Sequence, residues 1–142
     1  TNIMLDKTDK KIIKQLKKDS RQSLKDIFEK TKIRPSTIHS RIQKLLEDNT
    51  IEKFSIVTND KTMNEDFIVF ILVNSNKEIP NLFFKKSCIK DVFGITGSYD
   101  LVMKCKFQNI GKFNDFILEL RKLPEVKDTL TMVSTIKIKE RL

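Results

Sequence analysis

Arg34-Pro35-Ser36-Thr37-Ile38-His39-Ser40-Arg41-Ile42-Gln43-Lys44-Leu45-Leu46 is the stretch on which the fold turns. Ile38, Ile42, Leu45 and Leu46 recur at i, i+4, i+7 and i+8, so a helix here has one apolar face. The opposite face carries Ser36, Thr37, His39, Ser40, Gln43 and Lys44. Pro35 suits the first helical position, where its missing N–H would be unpaired anyway. A helix that enters the major groove needs short polar side chains able to reach base edges, with cations around it for phosphate. Arg34, Ser36, Thr37, His39, Ser40, Gln43 and Lys44 meet that demand. Arg41 borders the apolar face and is able either to bind phosphate or to brace the helix against its neighbours.

Upstream, two shorter helices precede it. Asp6 with Asp9 three residues on reads as a capping box, and Ile12, Ile13 and Leu16 then form one stripe among lysines until about Asp19. Ser23 with Asp26 repeats the signal, and Leu24, Ile27 and Phe28 supply the inner face of a second helix to about Lys30. Thr31 to Arg34 turns the chain into the third. Downstream, Asn49 is placed to end that helix in a left-handed conformation. Ile51 to Val57 reads as a short strand, and Thr58 to Glu65, polar and without apolar periodicity, as a linker. The expected organisation is a helical domain over 1–50, a strand and linker over 51–65, and a second domain over 66–142.

The second domain reads β, α, β, β, α, β. Phe67 to Val73 is a strand, and Pro80 opens a short helix with Leu82, Phe83 and Phe84 inward. Val92 to Thr96 and Leu101 to Phe107 are strands joined at Gly97-Ser98-Tyr99-Asp100, where Gly97 supplies a positive φ and Asp100 bonds local amides. Gly111 to Lys122 is a helix with Phe113, Phe116, Ile117 and Leu120 inward, and Pro124 follows it. Lys127 to Lys139 is a last strand with Leu130, Met132, Ser134, Ile136 and Ile138 on one face. Strands split around two crossover helices predict a ferredoxin-like sandwich. The fold class is therefore α+β, a three-helix (winged) helix-turn-helix domain followed by a ferredoxin-like βαββαβ domain.

Charge divides the chain in the same place. Of 28 Lys+Arg and 19 Asp+Glu, 13 basic and four acidic residues lie between Lys7 and Lys44, a local +9 equal to the whole net charge. The remaining 104 residues sum to zero. A solvating role alone predicts a more even spread, so nucleic acid is the expected partner. The longest apolar run, Phe67 to Val73, is far short of the roughly 20 residues needed to span a bilayer. With no signal-peptide pattern at the start, a cytoplasmic location is expected. Cys88 and Cys105 form no CxxC pair and suit a reducing compartment. Catalysis is not expected. His39 is the only histidine, which rules out multi-His metal sites and Ser/His/Asp arrangements built on another, and there is no GxxxxGK[ST] or GxGxxG.

Leu5-Asp6-x-x-Asp9-x-x-Ile12-Ile13-x-x-Leu16, Asp19-x-Arg21-x-Ser23, Ser36-Thr37-Ile38-x-x-Arg41-Ile42-x-x-Leu45 and Ile51-x-x-Phe54 resemble the opening domain of the Lrp/AsnC family of transcription regulators, and an archaeal source is expected. Gly97-x-Tyr99-Asp100-Leu101 and Pro124-x-Val126-x-x-Thr129-x-Thr131 are similar to the family's second domain, called RAM. The resemblance covers essentially the whole chain in order. It implies a dimer formed through the RAM sheets, often associating into octamers, binding of palindromic promoter double-stranded DNA, and in many members an amino-acid effector; no other cofactor or metal is implied. It also implies that Gly97, Ser98, Tyr99 and Asp100 form part of the effector pocket, with loop N–H groups meeting the amino acid's carboxylate and Asp100 its ammonium. Two departures stand out: Asn49-Thr50-Ile51 replaces the family's usual Gly before the exit strand, and Arg34-Pro35 replaces a Ser cap. A competing reading is an ACT-type amino-acid-sensing subunit whose helical half docks a protein. An RNA binder is weaker, because no pair of exposed aromatics has the RNP spacing.

Overall fold

A computed structural model describes residues 4–141. The chain divides into two compact units, Thr1–Ile56 and Val57–Leu142. The first holds three helices: α1 (Lys7–Lys18), α2 (Leu24–Thr31) and α3 (Pro35–Glu47). Both expected capping boxes form. The Asp6 side chain accepts from the Asp9 N–H at 2.8 Å while the Asp9 carboxylate takes the Asp6 N–H at 3.3 Å. Ser23 and Asp26 do the same at the start of α2. Ile12, Ile27 and Ile38, one from each helix and all fully buried, form the core, with Leu16, Leu24, Ile33 and Ile42 packed around them. Phe28, expected inside, is 37% exposed, its ring 5.8 Å from the Lys32 ammonium. In a helix of only eight residues, Leu24 and Ile27 already fill the contact.

Two left-handed residues end the second and third helices. Asn49 has φ 62°, and the carbonyls of Leu46 and Leu45 accept from the N–H groups of Asn49 and Ile51 at 3.2 and 3.0 Å. Lys32, at the end of α2, has φ 61° and donates its N–H to Phe28 at 2.7 Å. The expected strand over Ile51 to Val57 does not form. Residues 52–59 take no regular structure, and Phe54, Ile56 and Val57 are exposed, because no second strand lies alongside to accept the backbone bonds.

The second unit is a four-stranded antiparallel sheet of β1 (Phe67–Ser75), β2 (Ile89–Gly94), β3 (Leu101–Phe107) and β4 (Val126–Val133) in the order β2-β3-β1-β4, with α4 (Ile110–Lys122) crossing from β3 to β4. That is the ferredoxin-like order. Val69, Ile71 and Val73 from β1 with Met103, Cys105 and Phe107 from β3 form the inner face. Phe116, Ile117 and Leu120 of α4 cover it, the rings of Phe107 and Phe116 lying 5.3 Å apart. Asn109 caps α4 through its side chain, a signal adjacent to the expected start at Gly111.

Three expectations need correction. The first crossover is a single 3-10 turn, Phe83–Lys85, in which Phe83 is buried and Leu82 is 76% exposed. The turn directs Phe83 and, in part, Phe84 to the core and leaves the preceding Leu82 outside it. β2 begins at Ile89 rather than Val92 and stops at Gly94. The last strand ends at Val133 rather than Lys139, and Leu130 and Met132 pair with Leu72 and Phe70 on the open face, while Val126 packs against the core. From Ser134 the chain leaves the sheet and lies against that open face, held by Glu140 to Lys104 and Lys106 and by Lys137 to Asp60.

Candidate DNA-facing helix and effector loop

The buried side of α3 is fixed by Ile38 and Leu45, 0% and 1% exposed, with Ile42 half-buried between them. That anchoring turns Ser36, His39, Ser40, Gln43 and Lys44 outward, and all five are exposed. Arg34 is the N-cap residue of α3, exposed and without a side-chain cap bond, and Thr37 is half-buried. Arg34 and the exposed positions of α3 thus bring most of the sequence-derived DNA set onto one surface. Glu47 had not been singled out. It is exposed and, eleven residues after Ser36 and four after Gln43, lies on the same meridian of α3. The i+4 spacing from Gln43 was the available signal.

Arg41 is held inward. Its guanidinium donates to Asp9 at 3.1 Å and also to Asp6, so α3 is clamped to the capping box of α1. The logic is electrostatic: Asp9 is 5% exposed, and a buried carboxylate requires a cation and hydrogen bonds. The bond from Arg41 holds the Asp6 carboxyl below the usual carboxylate range, and Asp6 in turn raises the Arg41 guanidinium. Bracing is therefore the contact that Arg41 makes. The turn ahead of α3 is tied locally, with the Thr31 hydroxyl donating to the Ile27 carbonyl at 2.7 Å and accepting the Ile33 N–H at 3.2 Å.

In the second unit, Ile95 to Asp100 joins β2 to β3. Gly97 has φ 111°, a conformation that L side chains rarely adopt, with no atom within 4 Å of the place a Cβ would take. Backbone conformation, not space, requires glycine there. The Asp100 N–H donates to the Val73 carbonyl at 2.9 Å, and its carboxylate accepts from the Ser75 N–H at 2.9 Å and the Ser75 hydroxyl at 3.3 Å. Its carboxylate thus locks the loop to the end of β1, 25 residues back in the chain, rather than bonding amides of the turn itself as its position had suggested. Ser98 is exposed and Tyr99 half-buried. A cavity of about 500 Å³ lies elsewhere, between the open sheet face and the C-terminal segment, lined by Phe70, Phe93 and Val102 among others.

Among the described residues no group of three or more His, Cys, Asp and Glu is arranged to hold a metal ion, and no helix is long and apolar enough to cross a membrane. The cysteines are free. Burial pushes the Cys105 thiol up to about 12 and raises that of Cys88, which disfavours the nucleophilic thiolate in both.

Comparison with known proteins agrees with this division. Residues 5–52 match a winged helix-turn-helix DNA-binding model, and residues 88–142 match the Lrp/AsnC ligand binding domain. An HTH-type transcriptional regulator of Pyrococcus furiosus is 33% identical over 98% of both chains. The regulator FL11 of Pyrococcus abyssi is 34% identical over 92% of this chain and 89% of its own. Two solved structures share the fold at low identity. A transcriptional regulator of Neisseria meningitidis in complex with L-Met superposes with a TM-score of 0.90, 23% identity and coverage of 97% of this chain and 94% of that one. Escherichia coli AsnC gives 0.85 at 18% identity over 99% and 98%. With a basic helical unit that exposes a polar helix face, a ferredoxin-like unit behind it in sequence, and relatives matched along nearly their whole length, the chain belongs to the Lrp/AsnC family of helix-turn-helix transcription regulators.

Proposed function

We propose that α3 reads the major groove of promoter DNA through Ser36, His39, Ser40 and Gln43, with Thr37 at the edge and Arg34 and Lys44 on flanking phosphates. The observation that carries this is the coincidence of an exposed short-polar helix face with a +9 local charge. Arg41 supports the reading indirectly, by holding α3 against α1. The chain acts as a homodimer through the open sheet face, where Phe93, Leu130 and Met132 are 63%, 44% and 48% exposed; dimers are able to associate further into octamers. A two-fold dimer carries two recognition helices, so half-sites about one DNA turn apart, roughly 34 Å, are expected. A free amino acid is the effector, held at Gly97, Ser98, Tyr99 and Asp100 where dimers meet. One carboxylate oxygen of Asp100 serves Ser75, which leaves the other for an ammonium.

Fluorescence anisotropy on a duplex from the gene's own promoter tests the DNA reading. Gln43→Ala should weaken the specific site and leave binding to random DNA unchanged. A slope of log affinity against log salt near zero would overturn it, because phosphate neutralisation releases counterions. For the effector, thermal shifts with all twenty amino acids are compared with the Asp100→Ala variant. An unresponsive parent protein would remove the effector reading and leave the DNA reading standing.

A further inference from the structure

Glu47 is the one carboxylate on α3, and it stands on the helix's outward meridian. At about 100° per residue, Ser36, Ser40, Gln43 and Glu47 fall within roughly 60° of arc, and the buried anchors Ile38 and Leu45 lie about 180° from its middle. A helix laid along the major groove, as in homeodomains, presents positions i, i+3 and i+7 to base edges. Ser40, Gln43 and Glu47 have that spacing. The fold of the helical unit makes no use of an acid here. Each of its five aspartates, Asp6, Asp9, Asp19, Asp26 and Asp48, accepts a backbone N–H through its carboxylate. Among the described residues Glu29, Glu47 and Glu52 take part in no ion pair, and of these only Glu47 lies on α3. Glu47 is also the last residue of α3, where the helix dipole disfavours a carboxylate. A position that breaks a local rule without a compensating contact inside the fold points to function.

The chemistry of the groove restricts what such a residue can meet. An ionised carboxylate only accepts hydrogen bonds, so phosphate oxygens repel it. Most base edges repel it too: guanine presents two acceptors, N7 and O6, and thymine presents O4 and a methyl group. In an A·T pair the N6 donor lies between two acceptors, adenine N7 and thymine O4. Cytosine N4 has an acceptor on one side only, the guanine O6, and so receives a carboxylate best. Gln43, with a donor and an acceptor, suits adenine N6 and N7, whereas the serines serve any base. Glu47 follows Gln43 by about 6 Å along the helix axis at ~1.5 Å per residue, which is one to two base pairs at ~3.4 Å each.

We propose that Glu47 is a specificity-determining residue, which accepts the N4 amino group of one cytosine in each half-site, one to two base pairs from the base read by Gln43. This rests on the DNA reading of α3 and extends it to a base identity. Glu47 opposes the phosphates of every duplex and is relieved only where that cytosine stands. It therefore acts against wrong sequences as well as for the right one.

The test selects sites from duplexes with a randomised stretch, using the full chain as parent, Glu47→Gln and Glu47→Ala. Fluorescence anisotropy then measures each selected site with all four bases at every position. The parent should select one cytosine per half-site whose replacement costs it about fivefold or more, and costs Glu47→Ala less than about twofold. Glutamine matches adenine N6 and N7, so Glu47→Gln should change the preference at that position, and there alone, from cytosine to adenine. Both variants remove a carboxylate from the last turn of α3, so the melting temperature read at 222 nm should not fall, which separates a lost preference from a lost fold. Unchanged preferences in both variants, with affinity raised equally on every duplex and a salt slope steeper by about one, would mean that Glu47 only repels phosphate and would overturn the proposal. A change spread over the whole half-site rather than confined to one position would overturn it as well. A parent that selects no sequence at all would instead overturn the reading of α3.

Discussion

Ile38→Ala tests whether the recognition helix is held by the three-isoleucine core. The side chain is fully buried between Ile12 and Ile27. Truncation removes three carbons, about 2.4 kcal/mol of transfer free energy at ~0.8 kcal/mol each. A residual cavity of some 60 Å³ adds roughly 1.5 kcal/mol at ~24 cal/mol per Å³, for a total near 4 kcal/mol. A unit of this size has on the order of 3–8 kcal/mol to lose, at ~0.05–0.15 kcal/mol per residue. The helical unit should thus fall to the edge of unfolding at 25 °C. The second unit has its own core, built from other residues. Tyr99 is the only tyrosine and there is no tryptophan, so tyrosine fluorescence reports the second unit alone. Urea titration should show the 222 nm ellipticity of the helices lost at much lower denaturant while the Tyr99 midpoint stays put. A destabilisation under about 1 kcal/mol, or an equal shift of both signals, would refute the reasoning.

Arg41→Met should return the Asp6 titration, followed by carboxyl NMR, toward 3.8 and loosen the start of α1; because the folded Asp6 value is depressed by Arg41, its contribution is present above 3.8 and is lost as pH falls through the folded value. Glu140, held down to about 2 by Lys104 and Lys106, contributes stability above its ordinary 4.5 that disappears between 4.5 and about 2. Glu140→Gln should flatten that part of the acid limb in Tyr99-detected unfolding, and an unchanged limb would mean the ion pairs do not form in solution. Lys32→Gly removes the strain of a left-handed residue, ~1–2 kcal/mol, but adds unfolded-chain entropy and loses the weak contact with Phe28, so it should stay within about 0.5 kcal/mol of the parent. Lys32→Val should lose more than about 1 kcal/mol by ellipticity, and a valine variant as stable as the glycine one would show that the turn does not need φ 61°.

What the sequence disclosed and what it hid follow from the range of the forces involved. Capping boxes at Asp6/Asp9 and Ser23/Asp26 involve residues three apart and were legible, as was Asn49, since asparagine tolerates φ 62°. Lys32 carries no such signal, although its conformation is the same. Contacts at long separation were hidden. That Arg41 closes on Asp6 and Asp9, 35 and 32 residues away, cannot be read from periodicity, which left two roles open. Alternation in β4 correctly marked Leu130 and Met132 as one face of a strand, but alternation does not say which face meets the helices. The lost strand at Ile51 to Val57 shows the same limit: β propensity needs a partner strand. At the loop, the turn was legible from Gly97, but the partner of the Asp100 carboxylate, Ser75, lies 25 residues back and was hidden, and the use of that carboxylate for an effector depends on neighbours outside the chain.

The open sheet face shows how lysines are made compatible with a facing apolar surface. Lys104 and Lys106 project from β3 beside Phe70 and Ile68, where a facing sheet would strip them of water. A bare ammonium there would oppose association, because desolvating a charge without a partner costs several kcal/mol. Each already has its counterions. Asp91 and Glu140 serve Lys104, and Asp60 and Glu140 serve Lys106. With Lys137, three ammoniums are set against three carboxylates, so the cluster is neutral before any partner arrives. Burial lowers the affinity of Lys106 for its proton, but the bonds to Asp60 and Glu140 more than reverse this and hold it charged. Two of the carboxylates come from outside the sheet, Asp60 from the segment before β1 and Glu140 from the segment after β4, so balancing the face also fixes both ends of the unit against it. Charge matched on the sheet permits apolar residues to meet.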